Sequence, residues 1–482
     1  MSEHVSGLNR NQTALFPQTL DEYVDQDNPV RFIDAFINSL NLEALGFKHS
    51  IPCDVGRPSY DPSDLLKLYV YGYLNQVRSS RRLERECHKN LEVIWLMKKL
   101  APDFKTIADF RKDNAGCIKG VFKEFVKFCM GLDLYGAKYV AIDGVKFKAV
   151  NSIDKNFNQK TLVYRLKIID ERVSKYLNEL EKHDKEEEKA EATRELEEKM
   201  KNIMKRKEEY TELLRKLKES NQNEVSLTDP ESRLMKNRGR VEPCYNSHVA
   251  VDDKNHLIVD YNVTNAPADN CQLSSIAKSA KETLNAEKID AGADKGFFNF
   301  MEIKECVDNG VMPYVPEQSR YGAGWVKKTG IPTREFSSDK FVYDKSTDTF
   351  LCPAGKKLGF AYLDHAHEKK MRVYQSGECF SCGFFLTKCT RYKRGRTVWR
   401  WEYAEVVEEM RERMRLEPWK VEARKSIVEH PFGTIKMAFN QGYLLLKGLW
   451  KTAGEVGFTM LAYNIRRVLN ILGPKNLMAS LV

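Results

Sequence analysis

After a start that looks polar and extended, apolar positions recur every three or four residues in runs from Phe32 to about Met130, and the pattern then changes to short β-branched runs. Asn28-Pro29-Val30-Arg31 precedes an apolar-periodic run from Phe32 to Leu45. Asp61-Pro62-Ser63-Asp64 offers an acidic N-cap with Pro at the first helical position, and Leu65, Leu66, Tyr69 and Tyr73 follow at helical spacing. Helical patterns also cover Arg82–Leu100 and Thr106–Met130, with Thr106-Ile-Ala-Asp109 resembling a capping box. Residues 1–130 therefore read as an all-helical domain. Its basic turn, Arg78-Ser-Ser-Arg-Arg82, suits DNA and a solvated helix end equally well.

From Tyr139 the period is that of a strand. Lys138-Tyr-Val-Ala-Ile-Asp143-Gly144 is a β-branched run ending in an acid and a glycine. Strand patterns return at Tyr245–Val251 and Leu257–Val263, joined by Asp252-Asp-Lys-Asn255, which predicts a hairpin. A helix over about 272–286 leads to a strand at Lys288–Ala293, which ends in Asp294-Lys-Gly296. Residues 310–400 are rich in turns and aromatics and read as β. From Trp401 the chain returns to helix and runs through Arg424–Lys436 to Leu472, with Gly473-Pro474 as a stop. The order predicts an α/β fold with a helical domain in front and two interruptions.

The first interruption is a charged one. Residues 181–220 hold 13 acidic and 12 basic side chains with no Gly or Pro. Met200, Ile203, Tyr210, Leu213, Leu214 and Leu217 keep a near-heptad stripe through it, so an extended helix or helical hairpin is expected over about 170–230. The whole chain has 482 residues and a net charge of +10, which only hints at a polyanionic partner. No apolar stretch approaches a membrane span and no secretory signal is apparent, so an intracellular protein is the default expectation. Seven of the eleven cysteines are scattered between Cys53 and Cys306, as in a reduced thiol pool.

Three acids stand out for their context. Asp143 and Asp294 each end an apolar strand pattern near a glycine, and Glu429 lies in the basic segment Arg424-Lys-Ser-Ile-Val-Glu-His-Pro-Phe-Gly-Thr-Ile-Lys436. Strand-end carboxylates brought together can hold divalent cations through oxygen, and a pair of such ions suits phosphodiester chemistry. Lys436 follows Glu429 by seven residues, about two helical turns along one face. Spacing alone leaves a structural cap the commoner role for any one of these acids.

Three segments, Ala141-Ile-Asp-Gly-Val-Lys-Phe147, Ala293-Asp-Lys-Gly-Phe297 and Ile427–Lys436, together with Tyr245-Asn246 to Asp252 and Ala266-Pro-Ala-Asp269, resemble bacterial insertion-sequence transposases of the DDE type. The stretch from Tyr60-Asp-Pro to Asp109-Phe-Arg111 is similar to the helical domain in front of such enzymes. The resemblance implies an RNase H-like mixed-sheet catalytic core over 131–309 and 401–482, behind a helical DNA-binding domain at 1–130. It implies Asp143, Asp294 and Glu429 as ligands of two Mg²⁺, with Mn²⁺ able to substitute. Asp290 is the competitor for the second position, and Asp252 and Asp269 read as turn or cap residues. Related enzymes carry Tyr-x2-Arg-x3-Glu-x6-Lys around the last acid. Here Glu429 and Lys436 match, while Glu422 and Lys425 stand at the Tyr and Arg positions and Arg424 falls one place early. His430 beside Glu429 is expected to be structural more often than catalytic.

In the β-rich insert, 310–400, Cys352, Cys379, Cys382 and Cys389 form a C-x26-C-x2-C-x6-C pattern. Structural Zn²⁺ and a set of reduced thiols are equally open readings. His365 and His367 could replace one thiolate. The segment 388–400 has six basic residues and no acid, with Tyr392 and Trp399 interleaved. Arg391, Lys393, Arg394, Arg396 and Arg400, with Arg424, Lys425 and Lys436, are therefore candidate DNA contacts. The reading is a DDE transposase cleaving and joining double-stranded DNA at the terminal inverted repeats of its element and at target DNA. The resemblance implies a homodimer on DNA in the bacterial cytoplasm, associated with the nucleoid. A metal-dependent nuclease of the same fold, and a catalytically silent DNA-binding relative, are the alternatives.

Overall fold

The run Tyr139–Lys148 forms the central strand, β1, because Val140, Ala141 and Ile142 are fully buried and carry no polar group to satisfy. The computed structural model describes residues 19–52, 58–183, 190–219, 224–317, 331–365, 370–439 and 441–481. The main sheet adds β2 (Arg233–Asn237), β3 (Arg240–Asp252), β4 (Ile258–Thr264), β5 (Ile289–Ala293) and β6 (Val311–Tyr314). β3 pairs antiparallel with β1 on one edge, and β2 and β4 lie end to end along its other edge. β5 and then β6 continue the sheet in parallel on the far side of β1. The order β4-β3-β1-β5-β6, with three antiparallel strands followed by two parallel ones, is that of an RNase H-like core.

Helices cover the sheet. Leu449–Leu472 is the longest of the buried ones, with Phe458, Met460, Leu461 and Ile465 at most 1% exposed. It packs on β4 and also on the N-terminal helices Pro62–Leu74 and Ile118–Gly131. Tyr69 and Tyr73 stack against Phe458 with ring centroids 5.3 and 5.1 Å apart, and Phe122 meets Tyr261 edge-on at 5.3 Å. The helical front and the sheet therefore share one continuous hydrophobic core.

The predicted N-cap at Asp61 is present, its carboxylate accepting from Ser63 N at 2.7 Å with Pro62 at the first helical position. The other two helical patterns are revised. The Arg82–Leu100 pattern divides into Ser80–Lys89 and Leu91–Leu96, because Asn90 turns to extended backbone and caps the second helix through Glu92 N. The next helix starts at Phe104 and is capped by Asp103 in place of Thr106, and a turn at 115–117 separates it from Ile118–Gly131. The C-terminal helical run is also broken between 439 and 448, where Leu444 N bonds Lys148 O at the end of β1.

The charged interruption is a helical hairpin, Gln159–His183 and Ala190–Glu219, that begins earlier than its charge run suggests. Its base is closed by two short strands, Asn156–Asn158 and Glu224–Ser226. Leu217, with Tyr210, Leu213 and Leu214 against it, packs on Phe157 and Leu162 in a small core of its own. The second interruption carries five antiparallel strands between Val342 and Trp401, around Phe336, Phe341, Phe350, Leu358 and Tyr374. Among the described residues, no helix is long and apolar enough to cross a membrane.

Candidate active site on two neighbouring parallel strands

The register of β1 and β5 decides where the first two acids lie. Ile142 is paired with Ala293, so Asp143 and Asp294 are the next residues of two neighbouring parallel strands. Such strands run about 4.8 Å apart, which brings the two carboxylates within each other's field. Gly292 permits the helix Pro418–Gly433 to close over this edge, since a Cβ there would overlap the Tyr139 hydroxyl. That hydroxyl donates to Lys420 O at 2.5 Å and fixes the helix against β1.

Asp143 accepts from Gly144 N at 2.7 Å and from Arg424 Nη1 at 2.9 Å. Burial pushes its carboxyl above the usual range, and the nearby Asp294 charge adds to this, although Arg424 and the Gly144 N–H pull the other way. Asp294 caps the short turn Lys295–Phe297 through Gly296 N. Asp290 is not a free competitor, because Lys420 Nζ holds its carboxylate at 2.7 Å. Tyr314 and Glu417 share the same ammonium.

Glu429 lies on the outer flank of the Pro418–Gly433 helix, its side chain 62% exposed and 3.7 Å from Lys425. Arg424, five residues earlier, faces Asp143, and five residues turn a helix by about 140°. The first two acids are thus brought together, while the third points away from them. Among the described residues, no three His, Cys, Asp or Glu side chains are arranged to share one metal ion. The donor chemistry of Asp143 and Asp294 fits Mg²⁺, and the third oxygen donor is not in place.

One acid near the pair was read from the sequence only as a turn or cap. Asp269 accepts from Asn246 Nδ2 at 2.7 Å and from the His248 ring at 2.9 Å. It lies against Gly144 and Gly296, the glycines following the two acids. Burial pushes the Asp269 carboxyl up, but the bonds from His248 and Asn246 and the charge of Lys146 together hold it below the usual range. Its signal was the Asn246–His248 stretch opposite Gly144 in register, which only strand pairing reveals. His430 is structural, its Nδ1 bonded to Tyr463 at 2.8 Å. Burial, with Arg467 and His256 nearby, keeps its ring below the usual histidine range.

The basic candidates separate into two groups. Arg391, Lys393 and Arg394 are exposed, together with Tyr392 and Trp399. Arg396 is half-buried over the Phe341 ring, and Arg400 is buried, paired with Glu408 at 2.8 Å and lying over Tyr343. These two arginines hold the insert together, so the strip presented to a partner is shorter than its sequence. Arg78 of the N-terminal basic turn is likewise buried, donating to Tyr443 O at 2.9 Å beside Glu455.

The four clustered cysteines are free thiols in one neighbourhood. Burial pushes Cys389 up to about 11, with Cys379, Cys352 and Cys382 near enough to add to the shift and Arg396 opposing it. Cys352 Sγ accepts from Lys356 N at 3.3 Å. Among the described residues, no three His, Cys, Asp or Glu side chains are grouped as metal ligands, and structural Zn²⁺ and reduced thiols both stay open for this cluster. His365 is exposed, and His367 lies outside the described residues.

Residues 18–113 match the family model described as a transposase domain of unknown function, and residues 351–469 match a transposase DDE domain. Glu429 and Lys436 lie within the second match, and Asp143 and Asp294 lie between the two. A comparison with curated proteins gives no match. Among solved structures, the chain is similar to a piggyBac transposase synaptic complex with hairpin DNA, at 10% identity and a TM-score of 0.31, covering 94% of this chain and 79% of that one. A likeness that slight carries no argument about fold or mechanism. A transposase domain model thus matches the front of the chain and a transposase DDE domain model matches it toward the end, and together they support an insertion-sequence DDE transposase.

Proposed function

We propose that this transposase cleaves DNA at the ends of its own element and joins the freed ends to target DNA, with Asp143, Asp294 and Glu429 as its metal-binding set. The observation that carries the reading is the parallel register of β1 and β5, which sets two carboxylates side by side at the sheet edge. When bound there, divalent cations such as Mg²⁺ or Mn²⁺ activate an oxygen nucleophile and stabilise the leaving 3′ oxygen. Asp143 and Asp294 would hold the ions, and Arg424 balances the Asp143 charge in their place. Glu429, which points away from the pair in this structure, would complete the set if its part of the helix turned inward. Its helix contains Pro431 and continues into π-type turns at 434–438, where helices commonly adjust.

Phosphates of double-stranded DNA meet the exposed Lys393 and Arg394, and Tyr392 and Trp399 offer stacking faces. Two protomers pair two element ends in this reading. A donor plasmid carrying the element ends, a target plasmid and Mg²⁺ test it. A transposase yields joined products, a nuclease of the same fold stops at cut ends, and a silent DNA-binding relative yields neither.

A further inference from the structure

We propose that the pocket beyond the C-terminal end of β1 holds a backbone phosphate of the DNA strand next to the carboxylate pair, through Lys146, Arg238, Lys436 and Gln441. The inference rests on the function proposed above. The pocket has a volume of about 230 Å³ and is also lined by Lys148 and Tyr443. Its one carboxylate, Glu242, is already engaged by Asn237 Nδ2 at 2.8 Å and by Lys148 at 3.5 Å. Among the described residues, no acid lies within ion-pair distance of Lys146, Arg238 or Lys436, so three cations line the cavity without a direct ion pair. Lys146 and Lys148 lie three and five residues beyond Asp143 on β1, which sets the pocket along the same strand as the first acid.

Two further observations point to an anionic ligand. Gln441 is 1% exposed, its Oε1 accepts from Thr459 at 2.5 Å, and its Nε2 has no partner. Buried amide donors are almost always paired, and a phosphate oxygen in the cavity would satisfy this one. Arg238 occupies the first position of the two-residue turn between β2 and β3, with φ of 48°, followed by Gly239 at 83°. That position favours Gly, Asn or Asp, so arginine stands there against the preference of the turn.

The test measures binding of a fluorescein-labelled DNA duplex to the full chain, without added divalent metal, over a range of salt concentrations. Arg238→Ala and Lys146→Ala should each reduce the slope of log affinity against log salt by about one. Gln441→Leu, which changes no charge, should weaken binding several-fold and leave that slope intact. Wild-type affinity and slope in all folded variants would overturn the proposal. If Gln441→Leu does not fold by circular dichroism, the two slopes decide alone. A rise in Tm with inorganic pyrophosphate, without any change in the DNA slopes, would assign the pocket to free anions and overturn the DNA assignment. Loss of cleavage in Asp143→Asn with unchanged Arg238→Ala slopes sinks only this pocket. Reduced slopes in these variants, with a wild-type protein that never cleaves, sink only the function above.

Discussion

Asn464 shows how one side chain can fix a strand. Its amide accepts from Ile258 N at 2.9 Å and donates to Ile258 O at 2.7 Å, closing the start of β4 onto the Leu449–Leu472 helix. Tyr135 covers the same carbonyl, so Asn464→Ala leaves only the buried Ile258 N–H bare. Urea unfolding should show a loss of about 1–3 kcal/mol with an unchanged m-value. Thiol chemistry gives a second residue-scale outcome. Burial pushes Cys87 and Cys389 up to about 11, so little thiolate exists near neutral pH. Exposed Cys271 should be alkylated first, and labelling of Cys389 should rise as pH approaches 11. Mass spectrometry of alkylated peptides across pH reads both. At this scale the sequence showed Asp294 through a turn signal that is present, whereas the strand end expected at Asp143-Gly144 is absent because β1 pairs with β3 as far as Lys148. Asp269 was not visible, because its neighbours Asn246 and His248 reach it only through the pairing of β3 with β1. Arg400 looked like a DNA contact for the same reason in reverse, since nothing local reveals Glu408 beneath it.

Helix existence was legible from apolar spacing, while helix ends depended on which acid reached the free N–H groups. Asp103, with two backbone bonds, prevailed over Thr106. The charged hairpin was legible from composition, but its start at Gln159 was hidden because the first turns carry few charges. Its small core is separate from the main one, so excising 170–206 and joining the stubs through a short linker should leave stability of the body within about 0.5 kcal/mol. Loss of cooperative unfolding in that variant would contradict this division. Gly454 marks the opposite case, a helix with no space to spare. A Cβ there would lie 2.7 Å from the Ala115 Cα, on the turn at 115–117. Gly454→Ala should therefore cost about 1–3 kcal/mol by overpacking, seen as a lower Tm.

At the scale of the whole molecule, the helical front, the sheet and the Leu449–Leu472 helix form one core. The net charge of +10 gains meaning only from position. The hairpin is nearly neutral, whereas uncompensated cations gather at the pocket beyond β1 and at Lys393 and Arg394. The central claim is that the paired edge of β1 and β5 performs phosphoryl transfer. The most direct measurement compares cleavage and joining of donor DNA by wild type with Asp143→Asn, Asp294→Asn and Glu429→Gln, alongside their DNA affinity. Each substitution should abolish both reactions while leaving binding within about threefold, an energy difference below about 1 kcal/mol. Normal cleavage by all three variants would contradict the account.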